Sequence, residues 1–156
     1  MSENPIAISV QHLTKSFSGR IVLDGIDLDI RRGEIFVIMG GSGCGKSTLL
    51  RQMTGAIRPD QGRVLFNGQD LTQLTEFELE KMKRRFGMSF QSAALLDFLS
   101  VEDNVSLPLR EHTQLGNKIV DIIVKMKLGL VGMQGFEKFM PSELSGGMRK
   151  RVGLAR

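Results

Sequence analysis

The sequence has few of the residues that build disulfides or membrane spans. It contains one cysteine, Cys44, so no disulfide can form within the chain, as is typical of a reducing compartment. It has no run of about 18 apolar residues, so it predicts no transmembrane helix. Residues 1–5 lack the basic start and the apolar stretch of a secretory signal. These absences favour a globular protein of the cytoplasm.

Aromatic residues are also scarce. The chain has no tryptophan or tyrosine, and its nine phenylalanines do not alternate with basic residues as single-strand-binding surfaces require. The formal net charge is +4, but the two basic clusters, 81–85 and 149–151, lie on predicted helices, where a solvated face is the ordinary interpretation. We therefore expect no nucleic-acid partner.

What the sequence does contain is a glycine-rich loop that matches the phosphate-binding pattern G-x-x-x-x-G-K-[ST]. In this pattern the backbone N–H groups surround phosphates, the lysine reaches the outer phosphates, and the serine hydroxyl holds Mg²⁺. The apolar run 35–39 predicts a buried strand before the loop, and 47–53 predicts a helix whose N-terminus faces the anion. The predicted nucleotide contacts are Gly40, Gly41, Ser42, Gly43, Cys44, Gly45, Lys46, Ser47 and Thr48.

The first 91 residues carry strand and turn signals. Apolar patterns predict further extended segments at 6–10, 20–30, 64–66 and 87–91. Asn67-Gly68 favours a tight hairpin turn after the third of these. Thr75 and Glu78 have the spacing of a capping box, which predicts a helix to about residue 85. Residues 1–91 therefore predict an α/β domain that contains the phosphate-binding loop.

Beyond residue 91 the pattern becomes helical. Ser100 and Asp103 have the spacing of a second capping box, and Pro108 is expected to interrupt the helix that follows. Another helix is predicted between Lys118 and Lys127, with one apolar face made of Ile119, Ile122, Ile123 and Met126. Residues 92–143 therefore predict a helical part of the chain.

A second glycine motif, Leu144-Ser145-Gly146-Gly147-Met148, follows the helical part. A serine and two glycines at a helix start offer a hydroxyl, free N–H groups and the positive end of the helix to an anion. Alone, such a motif is usually a loop before a helix. When the motif follows a phosphate-binding loop in this order and at this spacing, it becomes strong evidence for a second anion-binding segment.

Together the two motifs make the whole chain resemble the ATP-binding cassette (ABC) ATPases, whose signature is L-S-G-G-Q; Met148 stands where glutamine is commonest. The resemblance implies an α/β fold with a P-loop NTPase (RecA-like) core, an antiparallel β subdomain and an α-helical subdomain. It implies a nucleotide-binding core at 1–91, a helical subdomain at 92–143, and the signature with the start of the following helix at 144–156. The implied cofactors are ATP and Mg²⁺.

The resemblance also implies roles for particular residues. Lys46 and Gln91 are the implied catalytic residues, and Ser47 and Gln91 the implied metal contacts, since the family has a glutamine at this junction that touches Mg²⁺ and the attacking water. Phe17 stands where the family places a ring that stacks on adenine. From the residues alone, Gln91 is a polar residue at a strand end and Phe17 a core residue. Across a head-to-tail dimer, a facing copy would contribute Ser145, Gly146 and Gly147.

A narrower resemblance points to the lipid-transport branch, which includes the ATPases of Mla systems and those that work with Mce-type proteins. It rests on residues 90–96, 107–113 and 141–143 and on Met148. It implies a phospholipid or another lipid as cargo, a separate transmembrane permease, and an Mce-type lipid-binding protein in the complex. The implied location is the cytoplasmic face of the inner membrane.

Two features of the family do not occur in residues 1–156: the strand that ends in Asp-Glu, and the switch histidine. In the family, the Asp supports Mg²⁺ and the Glu polarises the attacking water. We therefore expect a C-terminally truncated cassette that hydrolyses ATP poorly by itself, with an exposed sheet edge that lowers its solubility. Two alternatives stay open: a non-hydrolysing nucleotide-binding module, and a soluble ABC ATPase with no role in transport.

Overall fold

The computed structural model describes residues 4–156, which form two compact units that divide between Gly87 and Met88. The first unit is built on a four-stranded antiparallel sheet of order β2-β1-β3-β4. Its elements are β1 Ile6–Phe17, β2 Arg20–Arg31, α1 Lys46–Met53, β3 Gln61–Phe66, β4 Gln69–Asp70 and α2 Glu76–Lys83. The observed fold class is therefore mixed α/β, as predicted.

One hydrophobic core holds the first unit together. Its fully or nearly fully buried members come from both long strands, from β3, from both helices and from the segment between β4 and α2: Val10, Leu13, Leu23, Leu49, Met53, Val64, Leu71, Leu74, Leu79 and Met82. Val10 pairs with Leu28 on one side and with Val64 on the other, so β1 is an interior strand of the sheet. The core lies between this sheet and the helix that follows the phosphate-binding loop.

The local signals of the first unit are confirmed. Asn67 and Gly68 have φ of 49° and 81° and connect β3 to β4 as a two-residue turn. Thr75 accepts a hydrogen bond from the backbone N–H of Glu78, whose carboxylate accepts one from the N–H of Thr75. The capping box therefore starts α2, which ends at Lys83 rather than near residue 85.

Two predicted strands do not form. Residues 35–39 and 87–91 have no regular secondary structure, and Ile35 and Met39 are 92% and 86% exposed. A buried strand needs neighbouring strands to satisfy its backbone groups, and no segment among residues 4–156 pairs with either of these two. The apolar patterns were identified correctly, but the strand prediction was wrong for this chain.

The second unit consists of helices: α3 Val101–His112, α4 Asn117–Leu130, a 3₁₀ turn Pro141–Glu143, and α5 Gly146–Ala155. Ser100 caps α3 by accepting from the N–H of Asp103, as predicted. Pro108 lies inside α3 and does not end it, which corrects the expected interruption. The core of this unit includes residues of all three helices: Val101, Val105, Val120, Val124, Leu128, Met133, Leu144, Val152 and Ala155.

The apolar face of α4 was predicted wrongly. The helix buries Val120, Val124 and Leu128, whereas Ile119 and Ile122 are 50% and 66% exposed. Both sets have helical spacing, so periodicity alone does not decide which face packs inward. No helix within residues 4–156 has the length and apolar character that crossing a membrane requires.

Candidate functional site

The phosphate-binding loop leads directly into α1. Gly43 and Gly45 have φ of 78° and 96°, a region that side chains with a Cβ rarely adopt. A Cβ on Gly45 would also lie 2.9 Å from Cδ2 of Leu23 and 3.0 Å from the carbonyl oxygen of Val22. Gly45 caps α1 without any side-chain hydrogen bond, so no side chain competes for the N–H groups of the first turn. The loop is therefore shaped to offer backbone donors to an anion.

Lys46 is held over the loop. Its Nζ donates to the carbonyl oxygens of Gly40 at 2.9 Å and of Gly41 at 2.6 Å. These contacts place a positive charge above the backbone donors of the same loop. An ammonium group that can exchange such carbonyls for phosphate oxygens is suited to a polyphosphate.

Phe17 and the phosphate-binding loop line one pocket of about 300 Å³. The other lining residues are Val22, Gly43, Gly45, Lys46, Ser47 and Thr48. Phe17 is 44% exposed at the end of β1, with Nζ of Lys15 over its ring at 5.5 Å from the centroid, so it is not a core residue and part of its surface is open to a ligand. The pocket is lined by the chemical groups that a nucleoside triphosphate with Mg²⁺ requires: an aromatic ring, backbone donors, an ammonium group and the Ser47 hydroxyl. Of the predicted contacts in the first unit, the pocket brings together Phe17, Gly43, Gly45, Lys46, Ser47 and Thr48, whereas Gly40, Gly41, Ser42 and Cys44 do not line it.

Asp60 is a residue of this region that the sequence reasoning missed. Its carboxylate accepts from Lys15 Nζ at 2.6 Å and from the backbone N–H and the hydroxyl of Ser16 at 2.7 and 2.8 Å. The hydrogen bond from Lys15, followed by those from Ser16, lowers the pKa of Asp60 to about 2. These bonds fix the strand end that carries Phe17. No local signal marks Asp60, because its partners lie far away in sequence.

The glycine motif of the second unit begins α5. Ser145 caps the helix by accepting from the N–H of Met148 at 3.3 Å. Gly146 and Gly147 are exposed, and a Cβ on either would meet no atom within 4 Å. The N-terminal donors of α5 are therefore open to an approaching anion.

Gln91 lies in the same unit and is exposed. Together with Gly146, it lines a pocket of about 420 Å³, whose other walls include Asp97, Arg149 and Lys150. The structure thus brings two predicted site residues together here. Within residues 4–156, no cluster of three or more His, Cys, Asp or Glu side chains is arranged to hold a metal ion. The hydroxyl of Ser47 and the amide of Gln91 stay the predicted metal contacts.

Comparison with known proteins gives one family match and several close relatives. The family described as ABC transporter matches residues 23–156. The chain is 46% identical over 153 residues to the intermembrane phospholipid transport system ATP-binding protein MlaF of Haemophilus influenzae, covering 98% of this chain and 58% of that protein. It is 44% identical over 151 residues to the probable ribonucleotide transport ATP-binding protein mkl of Mycobacterium leprae, covering 97% of this chain and 44% of that protein. The chain thus spans about half the length of these relatives.

A solved structure shows the same architecture. It is a dimeric ATP-binding cassette in a post-hydrolysis state, bound to ADP and Pi, and it superimposes with a TM-score of 0.84 at 29% identity. The match covers 95% of this chain and 67% of that one.

Proposed function

Because the chain belongs to the ABC transporter family, we propose that it binds ATP and Mg²⁺ as the nucleotide-binding part of a transporter ATPase. The observation that carries the proposal is the single pocket that joins Phe17 to the phosphate-binding loop. In this role the Phe17 ring stacks on adenine, and the donors of the loop and of the first turn of α1 bind the phosphates. Lys46 neutralises the outer phosphates.

Mg²⁺, held by the Ser47 hydroxyl and contacted by Gln91, would neutralise charge on the phosphates. The protein supplies position and charge rather than covalent chemistry, as is general for phosphoryl transfer. Gln91 orients the attacking water in this proposal. Hydrolysis in the intact ATPase then drives a separate membrane permease.

We further propose that two copies act head to tail. Ser145, Gly146 and Gly147 of each copy would then complete the phosphate site of the other. Support comes from the open N-terminus of α5, where a Cβ built on either glycine would meet no described atom within 4 Å. The related cassette with ADP and Pi is itself dimeric.

The proposed cargo is a phospholipid or another lipid. The relative from Haemophilus influenzae is named for phospholipid transport, whereas the relative from Mycobacterium leprae is named for ribonucleotide transport. We favour the lipid because the segments 90–96 and 107–113 and the Met148 form of the signature resemble the lipid-transport branch. A permease and an Mce-type lipid-binding protein are the partners proposed, at the cytoplasmic face of the inner membrane.

Equilibrium binding of a fluorescent ATP analogue tests the proposal. Lys46→Ala removes the ammonium group from the loop and is expected to weaken Mg²⁺-ATP binding by about 10- to 100-fold, the usual loss for a charged hydrogen bond. Lys118→Ala, at an exposed position near the start of α4, is the matched control and should bind like the wild type. Equal affinities for the two variants would contradict the proposed site. In the assembled transporter, ATP binding without turnover would contradict the hydrolytic role.

A further inference from the structure

The backbone next to Gln91 adopts an unfavourable conformation. Gln91 lies in a turn that is closed by the N–H of Ala93 donating to the carbonyl oxygen of Phe90 at 3.0 Å. Ala93 and Ala94 then have φ of 63° and 50°, in the left-handed region that residues with a Cβ avoid. Two such residues in succession persist only where the surrounding structure holds them.

Helix α5 holds this segment from one side. Gly153 packs against Ala93 so closely that a Cβ on Gly153 would lie 3.0 Å from both the Cβ and the carbonyl oxygen of Ala93. Near the end of the same helix, Nη1 of Arg156 donates to the carbonyl oxygen of Ala94 at 2.7 Å. The two left-handed residues are thus each fixed at the C-terminal end of α5, Ala93 by Gly153 and Ala94 by the C-cap residue Arg156.

Helix α3 holds the next part of the segment. Asn104 is fully buried, and its Oδ1 accepts from the N–H of Leu96 at 2.8 Å. Its Nδ2 lies 3.0 Å from the carbonyl oxygens of Leu96 and Leu99, to which it donates. The amide of Asn104 therefore ties the chain after Gln91 to a second rigid element.

We propose that Gly153 is a positioning residue: through its contact with Ala93, α5 fixes the turn that carries Gln91. The same helix has its N-cap at Ser145, about 12 Å from Gly153 at the rise of an α-helix. The signature end of α5 and the Gln91 turn therefore move as one body. This inference rests on the proposed function of both groups. It predicts that an anion bound at the signature also restrains Gln91.

Hydrogen exchange on the 156-residue chain tests the contact without nucleotide. Gly153→Ala forces Ala93 away from α5 and is expected to speed exchange of the Ala93 amide by about tenfold or more, as a local opening does. Gly116→Ala, where a Cβ meets nothing within 4 Å, is the matched control and should leave that rate unchanged. Equal rates in the two variants would overturn the proposal.

Two further variants separate positioning from a general loss of structure. Adding Ala93→Gly to Gly153→Ala removes the contact with the Cβ of Ala93 and the backbone strain but leaves the contact with its carbonyl oxygen, and is expected to return the exchange rate part of the way to that of the wild type. Arg156→Gln removes the bond to Ala94 without changing the packing of Gly153, so a smaller acceleration confined to residues 93–96 is expected. Acceleration spread through the core amides of α3 and α4 in both variants would contradict the positioning role.

Nucleotide binding provides the functional measurement. Gly153→Ala is expected to reduce the gain in ATP affinity on adding Mg²⁺ by about fivefold, a coupling in the usual range, and to leave Mg²⁺-free affinity unchanged. Gln91→Ala should show the same loss, and combining the two changes should add nothing further. A full Mg²⁺ effect in Gly153→Ala, with wild-type binding intact, would overturn the inference. Failure of the wild type to bind ATP would instead contradict the proposed function, and the exchange measurement would still decide the contact.

Discussion

The two glycine motifs of this chain differ in whether the surrounding fold requires glycine. In the phosphate-binding loop, Gly45 has a positive φ and lies against Val22 and Leu23 of β2, so the fold itself requires glycine there. In the signature, Gly146 and Gly147 have no positive φ and face open space. The comparison shows that the first motif is constrained from inside the chain. If the signature motif requires glycine, that requirement has to come from a molecule that approaches the motif from outside its own unit.

The largest effect is expected in the phosphate-binding loop. Gly45→Ala places a Cβ at a φ of 96° and 3.0 Å from the Val22 carbonyl oxygen, and is expected to lower the free energy of unfolding by about 2 kcal/mol or more. Mg²⁺-ATP binding should be lost with it. Urea unfolding and equilibrium binding measure the two effects.

Gly43→Ala separates strain from packing in the same loop. Gly43 has a φ of 78°, but a Cβ there would meet nothing within 4 Å. Its cost in unfolding free energy is therefore expected to be backbone strain alone, about 1 kcal/mol. If Gly45→Ala costs no more than Gly43→Ala, the contact with β2 does not constrain the loop.

The signature should behave in the opposite way. Gly146→Ala is expected to leave the unfolding free energy unchanged or to raise it by about 0.5 kcal/mol, because alanine is the better helix residue and the position is open. ATP-dependent dimerisation, followed by sedimentation velocity, should nevertheless fall, because the new methyl group lies where a facing phosphate has to approach. The proposed head-to-tail dimer depends on that approach.

Gly116→Ala is the matched control for the signature. Gly116 also lies at the start of an α-helix, as the N-cap of α4, is exposed and has open space around it, but it belongs to no predicted site. Because alanine is a poorer N-cap than glycine, Gly116→Ala should lower stability slightly and leave dimerisation intact. A destabilised Gly146→Ala, or equal dimerisation by both variants, would break the contrast between the two motifs.

The parts of this fold that could be predicted from the sequence are those whose partners are close along the chain. Asn67-Gly68 and the Thr75 capping box depend on contacts within three residues, and both are present. Residues 35–39 needed neighbouring strands, which no local pattern supplies, and all of them except Ile38 are exposed. For the candidate site, the glycine patterns identified both motifs for which we propose anion binding. The pattern alone did not identify the link from Asp60 to Ser16, because 44 positions separate them.

That link gives the smallest expected effect, a dependence on pH confined to the phosphate-binding half of the site. The folded-state pKa of Asp60 is about 2, below its ordinary value of 3.8, so folding favours the ionised carboxylate. Its contribution to stability is fully present above pH 3.8 and is lost as the pH falls towards 2.

Asp60→Asn should remove that part of the pH dependence and loosen the Phe17 end of β1. We expect a modest loss of ATP-analogue affinity at neutral pH and none in Asp121→Asn, an exposed carboxylate of the second unit outside both the Phe17 and the Gln91 pockets. An unchanged acid unfolding curve in Asp60→Asn would show that Lys15 and Ser16 do not depend on this carboxylate.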